Sequence, residues 1–253
     1  MTTLVTTLTA NLSSTRVRAV MRKELRDYRR NRFIAGTMAI TPVLFMIAPI
    51  ISVFSLPADA PQDKVNALLG VSLLYLTLIP GLVPAVVSSY AVVGEREQGT
   101  LEPVLTTPVR REELLVGKAL ATLVPTLAIS YLMYGIFLAC VELFAHPNVQ
   151  SAVFQAGRIL AQLLFTPLVA GWSIWAGIAV STRANDVRVA QQLGTLASLP
   201  PLAVTSLMGF NVIHPTLRLA LTLGAALLAI DLLAWRAVAA MFDRERLISG
   251  GKV

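Results

Sequence analysis

The chain has 253 residues, of which 55% are hydrophobic and 14% charged, with a mean hydropathy of +0.70. Soluble domains are usually about 25% charged, and one of this size cannot hide so much apolar surface from water, so lipid must serve as solvent for much of the sequence. The net charge of +7 and pI near 10.1 would suggest nucleic acid in a soluble protein. Here the bases flank long apolar runs, which makes them topological signals and argues against a nucleic-acid partner. One cysteine, Cys140, and two histidines, His146 and His214, each followed by proline, provide neither a disulfide framework nor a metal-ligand spacing.

In chain order, residues 1–14 are Thr-rich and lack the basic start, apolar core and cleavage site of a signal peptide; they are expected to form a disordered tail. Residues 15–32 read as an amphipathic entry helix. Val17, Val20, Met21, Leu25 and Tyr28 share one face, and Arg18, Arg22, Arg26, Arg29 and Arg30 fall mainly on the other. Such a helix lies in a membrane interface with its cations among lipid headgroups.

A helix needs about 20 apolar residues to cross the hydrocarbon core. Six stretches qualify: Phe33–Phe54, Ala67–Val93, Ala119–Leu143, Ile159–Ser181, Val187–Met208 and Leu217–Val238. Of the 21 Lys and Arg residues, 18 fall before the first stretch, in the second and fourth connections, or around the end of the last. By the positive-inside rule, that asymmetry predicts an all-α, six-span membrane protein with both termini in the cytoplasm. The membrane domain then covers 33–241, and 242–253 form a cytoplasmic tail. The opposite-side connections, such as Asp59–Asp63 and His146–Asn148, are short and turn-like. Pro200 and Pro201 are expected to break the outer end of the fifth span.

The most informative segment is 94–118, GEREQGTLEPVLTTPVRREELLVGK, which joins the second and third spans. Five acids stand among four bases, unlike a simple positive-inside loop. Gly99 and Pro103 break helix, Thr107 is a capping type and Pro108 suits a first helical position. Leu101, Val104 and Leu105 form an apolar knob with a charged rim, which suits a protein contact.

The run Glu95-Arg96-Glu97-Gln98-Gly99-Thr100-Leu101-Glu102, followed by Leu105, Pro108 and Gly117-Lys118, closely resembles the cytoplasmic loop of export-type ABC transporter permeases. The entry helix, the placement between the second and third spans and the chain length agree with that family. Pro103-Val104 departs from it, since a polar residue followed by leucine is the commoner pair. The resemblance implies a coupling helix seated in a groove of an ATP-binding subunit. It gives contact or relay roles to Glu95, Arg96, Glu97, Gly99, Thr100, Leu101 and Glu102, with Leu105 and Pro108 alongside. The chain contains no Gly-x-x-x-x-Gly-Lys-Ser/Thr phosphate loop. It is therefore expected to be no enzyme and to bind no cofactor, with ATP and Mg held by a separate ATPase subunit. Two permease copies, identical or related, would complete the assembly in lipid.

Three intramembrane features stand out. Pro80, Gly81 and Pro84 could hinge the second span just before the coupling loop. Ala190, Gly194 and Ser198 repeat at every fourth position of the fifth span, either for intrachain packing or for a dimer interface, with Gln191, Gln192 and Thr195 beside them as candidate pathway residues. Asp231 is the one acid deep in a predicted span, expected to pair with Arg236 or Arg188, to be protonated, or to serve transport. The competing readings are a proton-coupled secondary transporter, for which Asp231 is the sole support, and an integral-membrane enzyme, whose usual motifs are missing.

Overall fold

The computed structural model describes residues 12–100, 109–209 and 217–241. These form ten helices and no strand: α1 Ser14–Arg30, α2 Arg32–Phe54, α3 Gln62–Ser89, α4 Val93–Glu97, α5 Arg111–Phe144, α6 Pro147–Val153, α7 Ala156–Arg183, α8 Val187–Ala197, α9 Leu199–Gly209 and α10 Leu217–Met241. Five are long and apolar enough to cross a membrane: α2, α3 running on through α4, α5, α7 and α10.

The expected fifth span is where the structure departs from the sequence pattern. Residues 187–209 form two 11-residue helices, α8 and α9, broken at Ser198. Pro200 and Pro201 have no N–H to give to Leu196 and Ala197, so the α8 ladder stops there. The freed carbonyl of Ala197 instead accepts from Trp172 Nε1 of α7 at 2.8 Å. One smaller expectation also changes. His146–Asn148 is the start of the short helix α6, with Pro147 in its first turn. Thr107 and Pro108 lie outside the described residues, and α5 begins beyond them at Arg111 with Arg110 in the N-cap position.

α3 is the centre of the bundle. It packs on α2, α5, α7, α8 and α9, and its most apolar stretch is 56% buried, against 17% for the outlying α10. Small residues let its neighbours approach. A Cβ on Gly177 of α7 or on Gly194 of α8 would stand 2.0 Å from the hydroxyl of Ser88 or Ser89, respectively. One apolar cluster, around Leu69, Leu76, Ile79, Val83, Phe137 and Val141, joins α3 to α5 and is closed at one end by Val149 and Val153 of α6. At that end Arg158 ties α7 to Asn66 of α3 at 2.8 Å and to the carbonyl of Ala152 at 3.0 Å.

α1 lies across α5 and touches α2. It ends at Asn31, whose side chain turns back to accept from Phe33 and Ile34 N–H groups and so caps α2. The bend lets one chain segment supply both a lateral helix and a long apolar one. Gly117 makes the crossing close, since a Cβ there would meet Val20 at 2.6 Å and the carbonyl of Val17 at 3.2 Å.

Candidate functional site

The segment singled out by sequence enters the structure as the five-residue helix α4 and the turn after it. Three neighbours hold it. From α7, the Ser181 hydroxyl oxygen accepts from the backbone N–H groups of Val92 and Val93, both at 3.0 Å. From the α7–α8 connection, the carbonyl of Ala184 accepts from Arg96 Nη1 at 3.1 Å, and Glu97 Oε1 accepts from the N–H of Val187 at 3.1 Å. That last N–H is at the start of α8, where Asp186 caps the next two N–H groups, so both carboxylates sit at the positive end of the helix dipole.

The third neighbour is α1, reached through a buried ion cluster. Lys118 of α5 is 1% exposed, Glu24 of α1 is 4% and Glu95 of α4 is 7%. Lys118 Nζ lies 2.9 Å from Glu24 Oε1, 3.0 Å from Glu95 Oε2 and 2.9 Å from the carbonyl oxygen of Ala91. Lys23 covers the same two carboxylates from the solvent side, 3.1 Å from Glu24 and in direct contact with Glu95, and reaches Asp27 at 3.4 Å. Two lysines thus face two buried glutamates, and the charges of that inner set cancel. Burial pushes the Glu24 carboxyl upward, but Lys118 and Lys23 beside it outweigh burial and hold it below the ordinary carboxylate range. Burial pulls Lys23 down, yet the net effect of its charged neighbours keeps it above the ordinary lysine value. Tyr28, one turn beyond Glu24, is raised by burial and then by Glu24, and its hydroxyl meets that of Thr122 at 3.0 Å.

A third buried acid finishes the junction. Glu113, 1% exposed in the first turn of α5, accepts from the N–H of Arg110 and the N–H of Ser13, each at 2.9 Å, with Arg16 at 3.5 Å. The start of α1 is therefore fastened to the start of α5. Between α1, the end of α3 and residues 95–100 lies a cleft of about 370 Å³ lined by Lys23, Tyr28, Tyr90, Glu95, Gln98 and Thr100.

The turn closes on itself. Thr100 N–H donates to the carbonyl of Glu95 at 2.9 Å, and Gly99 adopts φ +68°, a left-handed conformation that favours glycine. Residues 97–100 are exposed while Glu95 is sealed inside. Leu101, Glu102, Leu105 and Pro108 lie outside the described residues.

The other sequence candidates are distributed through the bundle. Pro80, Gly81 and Pro84 are buried within the unbroken helix α3, and Gly81 leaves room for Leu202 of α9, 2.7 Å from where its Cβ would be. Ala190, Gly194 and Ser198 are buried inside the subunit, with Gln191 and Thr195 half-buried beside them. Asp231 is buried against Gly171 of α7, and its Oδ1 has no hydrogen-bond partner. The expected ion pair with Arg236 or Arg188 does not form among the described residues. Arg236 is five positions on, past the three- or four-residue spacing at which helix side chains meet.

Sequence reasoning did not find Glu24, Lys118 or Glu113 as a buried set. The signal was present for Glu24, which falls midway between Val20 and Tyr28 at four-residue spacing, on the face read as apolar. Lys118 had been counted as one more topological cation.

A comparison with curated proteins finds no match. The family model of the ABC-2 family transporter protein matches residues 18–240, nearly the whole described bundle from α1 to α10. Membership favours a transporter membrane subunit over the enzyme and secondary-transporter alternatives. With a helical architecture and five helices long and apolar enough to cross a membrane, the protein belongs to the ABC-2 transporter family, as a membrane permease.

Proposed function

We propose that this permease is the membrane half of an ATP-driven exporter. It spans the plasma membrane six times, α8 and α9 together making the fifth crossing, with both termini in the cytoplasm. That count places the 18 bases of the entry helix, the 94–118 segment, the fourth connection and the tail on one side. Two copies of the chain, or this chain and a related one, form the path. Two separate ATP-binding subunits carry ATP and Mg.

The coupling surface is the exposed part of the motif, Glu97 to Thr100, continued by Leu101, Glu102, Leu105 and Pro108. Glu95 and Arg96 act as a relay rather than as a contact, because their side chains point into the subunit. The observation that carries this reading is the Lys118 cluster. A push on α4 is delivered to α5 through Glu95 and Lys118, to α1 through Glu24, and to α7 and α8 through Ser181, Arg96 and Glu97. Packed cores shift between discrete arrangements rather than deforming smoothly, so clamped elements move together. Pro80, Gly81 and Pro84 lie in the helix that leads into α4 and are the hinge in this scheme.

The test is a pull-down of the tagged chain from native membranes, with co-purifying proteins identified and ATPase activity assayed. The intact chain is expected to bring down an ABC ATPase. Glu97→Ala and Glu102→Ala should weaken that recovery or uncouple hydrolysis from transport. Recovery of no ATPase under gentle solubilisation would overturn the reading.

A further inference from the structure

Starting at Lys118, every fourth residue of α5 is polar and buried: Thr122 at 1% exposure, Thr126 at 0%, Ser130 at 5% and Tyr134 at 4%. Over those 16 residues the stripe covers about 24 Å along the helix and winds by about 40° per step, so it leads from the ion cluster into the apolar heart of the bundle. Thr122 is satisfied by Tyr28 and by the carbonyl of Lys118. The hydroxyls of Thr126, Ser130 and Tyr134 have no protein partner.

Ser173 on α7 is also without a partner, but most buried hydroxyls of this molecule are not. Ser72, Thr77, Ser88, Ser89, Thr166 and Ser198 are buried too, and each donates to a carbonyl one turn back on its own helix. This is the ordinary solution in lipid, where no bulk water is at hand. Thr126 and Ser130 have the same option and do not take it. Carbonyls without their usual helical N–H occur on the neighbouring backbone. Pro125 deprives the carbonyl of Ala121 of its helical N–H, and in α3, which packs on α5, Pro80 and Pro84 do the same to the carbonyls of Leu76 and Pro80. Hydroxyls without acceptors and carbonyls without their helical donors thus occur on two helices packed together. A buried water needs two to four such partners.

We propose that Thr126, Ser130 and Tyr134 form a water-binding track inside the subunit, continuous with the Lys118 cluster and reaching the prolines of α3. The inference rests on α5 crossing the membrane and not on the identity of the ATPase or the cargo. The track also gives the proline-bearing helix α3 a hydrated neighbour, in which freed carbonyls keep their hydrogen bonds while the helix bends.

The experiment uses the full chain in membrane vesicles, with Cys140→Ala as background and one new thiol at a time. The probe is the silver ion, small enough to follow water. Thr126→Cys and Ser130→Cys are compared with Leu132→Cys, whose side chain is 59% exposed on the lipid-facing side of the same helix. The expected result is reaction at the two track positions about 100-fold faster than at Leu132→Cys, because an apolar wall suppresses the reactive thiolate by that order. Equal, slow reaction at all three positions would overturn the proposal. If the cysteine variants fail to assemble, the triple change Thr126→Val, Ser130→Ala, Tyr134→Phe decides. A wet track predicts a lower unfolding temperature, since the bridging waters lose their anchors. An unchanged or higher one would mean a dry core and overturn it.

Discussion

Lys118 on α5 and Asp231 on α10 are both ionisable side chains closed off by helix packing, at 1% and 8% exposure. Their surroundings differ completely. Lys118 has two carboxylates and a carbonyl within 3.0 Å. Asp231 packs on the bare backbone of Gly171 and has an oxygen with no partner. A buried charge is tolerable only when paired and hydrogen-bonded, so the first site constrains its neighbours and the second does not. Lys118 holds three chain segments in one geometry: α1, α4 and the first turns of α5. Asp231 makes no ion pair among the described residues at the contact between α7 and α10. The same residue class is therefore a clamp at one end of the bundle and a loose fit elsewhere.

The largest expected effect tests the clamp. Lys118→Met leaves Glu24 and Glu95 facing each other in a closed site, and breaking a buried pair costs about 3–5 kcal/mol. The low end, about 3 kcal/mol, applies here because Lys23 still reaches both carboxylates. It would be read as a lower unfolding temperature of the purified chain in detergent. Adding Glu24→Gln and Glu95→Gln should restore most of the loss, since no charge is then stranded. A single Lys118→Met variant as stable as wild type would erase the contrast with Asp231.

A smaller effect comes from acid. Glu24 has its folded pKa held below the ordinary value of 4.5. Its contribution is therefore fully present above pH 4.5 and fades as pH falls through the lower, folded value. The unfolding temperature of the wild type should drop below pH 4.5 more steeply than that of Glu24→Gln. Parallel curves would mean that the carboxyl is not held by its lysines. Smallest of all is Asp231→Asn, which keeps shape and burial at a carboxyl whose Oδ1 has no hydrogen-bond partner. It should change stability by about 1 kcal/mol or less, and a large loss would reveal a partner for that carboxyl.

Much of the architecture was legible beforehand for a simple reason. Apolar runs of about 20 residues carry their own structural signal, because a backbone in lipid must satisfy its hydrogen bonds within one helix. A helix over the 15–32 segment was legible from its periodicity, and its far end moved only from Arg32 to Arg30, where Asn31 can cap the next helix. A break in the fifth stretch was legible from Pro200 and Pro201, but a hydropathy run does not report that it falls at Ser198 and divides the stretch into two 11-residue helices. The break at Ser198 depends on Pro200 and Pro201 together with Trp172, 25 positions from the carbonyl it rescues. In the 94–118 segment, composition identified an unusual piece and resemblance assigned it a role. Neither revealed that Glu95 faces inward while Glu97 reaches Val187.

What the sequence determined by itself is the solvent this chain requires, the approximate position of each helix, and the segment whose charges topology alone leaves unexplained. Those follow from local quantities: apolar content, periodicity, and prolines and glycines at particular places. What only the tertiary structure decided is which charges meet. Glu24 and Lys118 are 94 positions apart, and Lys23 and Glu95 are 72 apart. Their union depends on α1 lying across α5 at Gly117, where a missing Cβ lets the helices come close. Pairing of buried charges is a property of distance in space, falling steeply with separation and with access to water, and no local pattern along the chain encodes either.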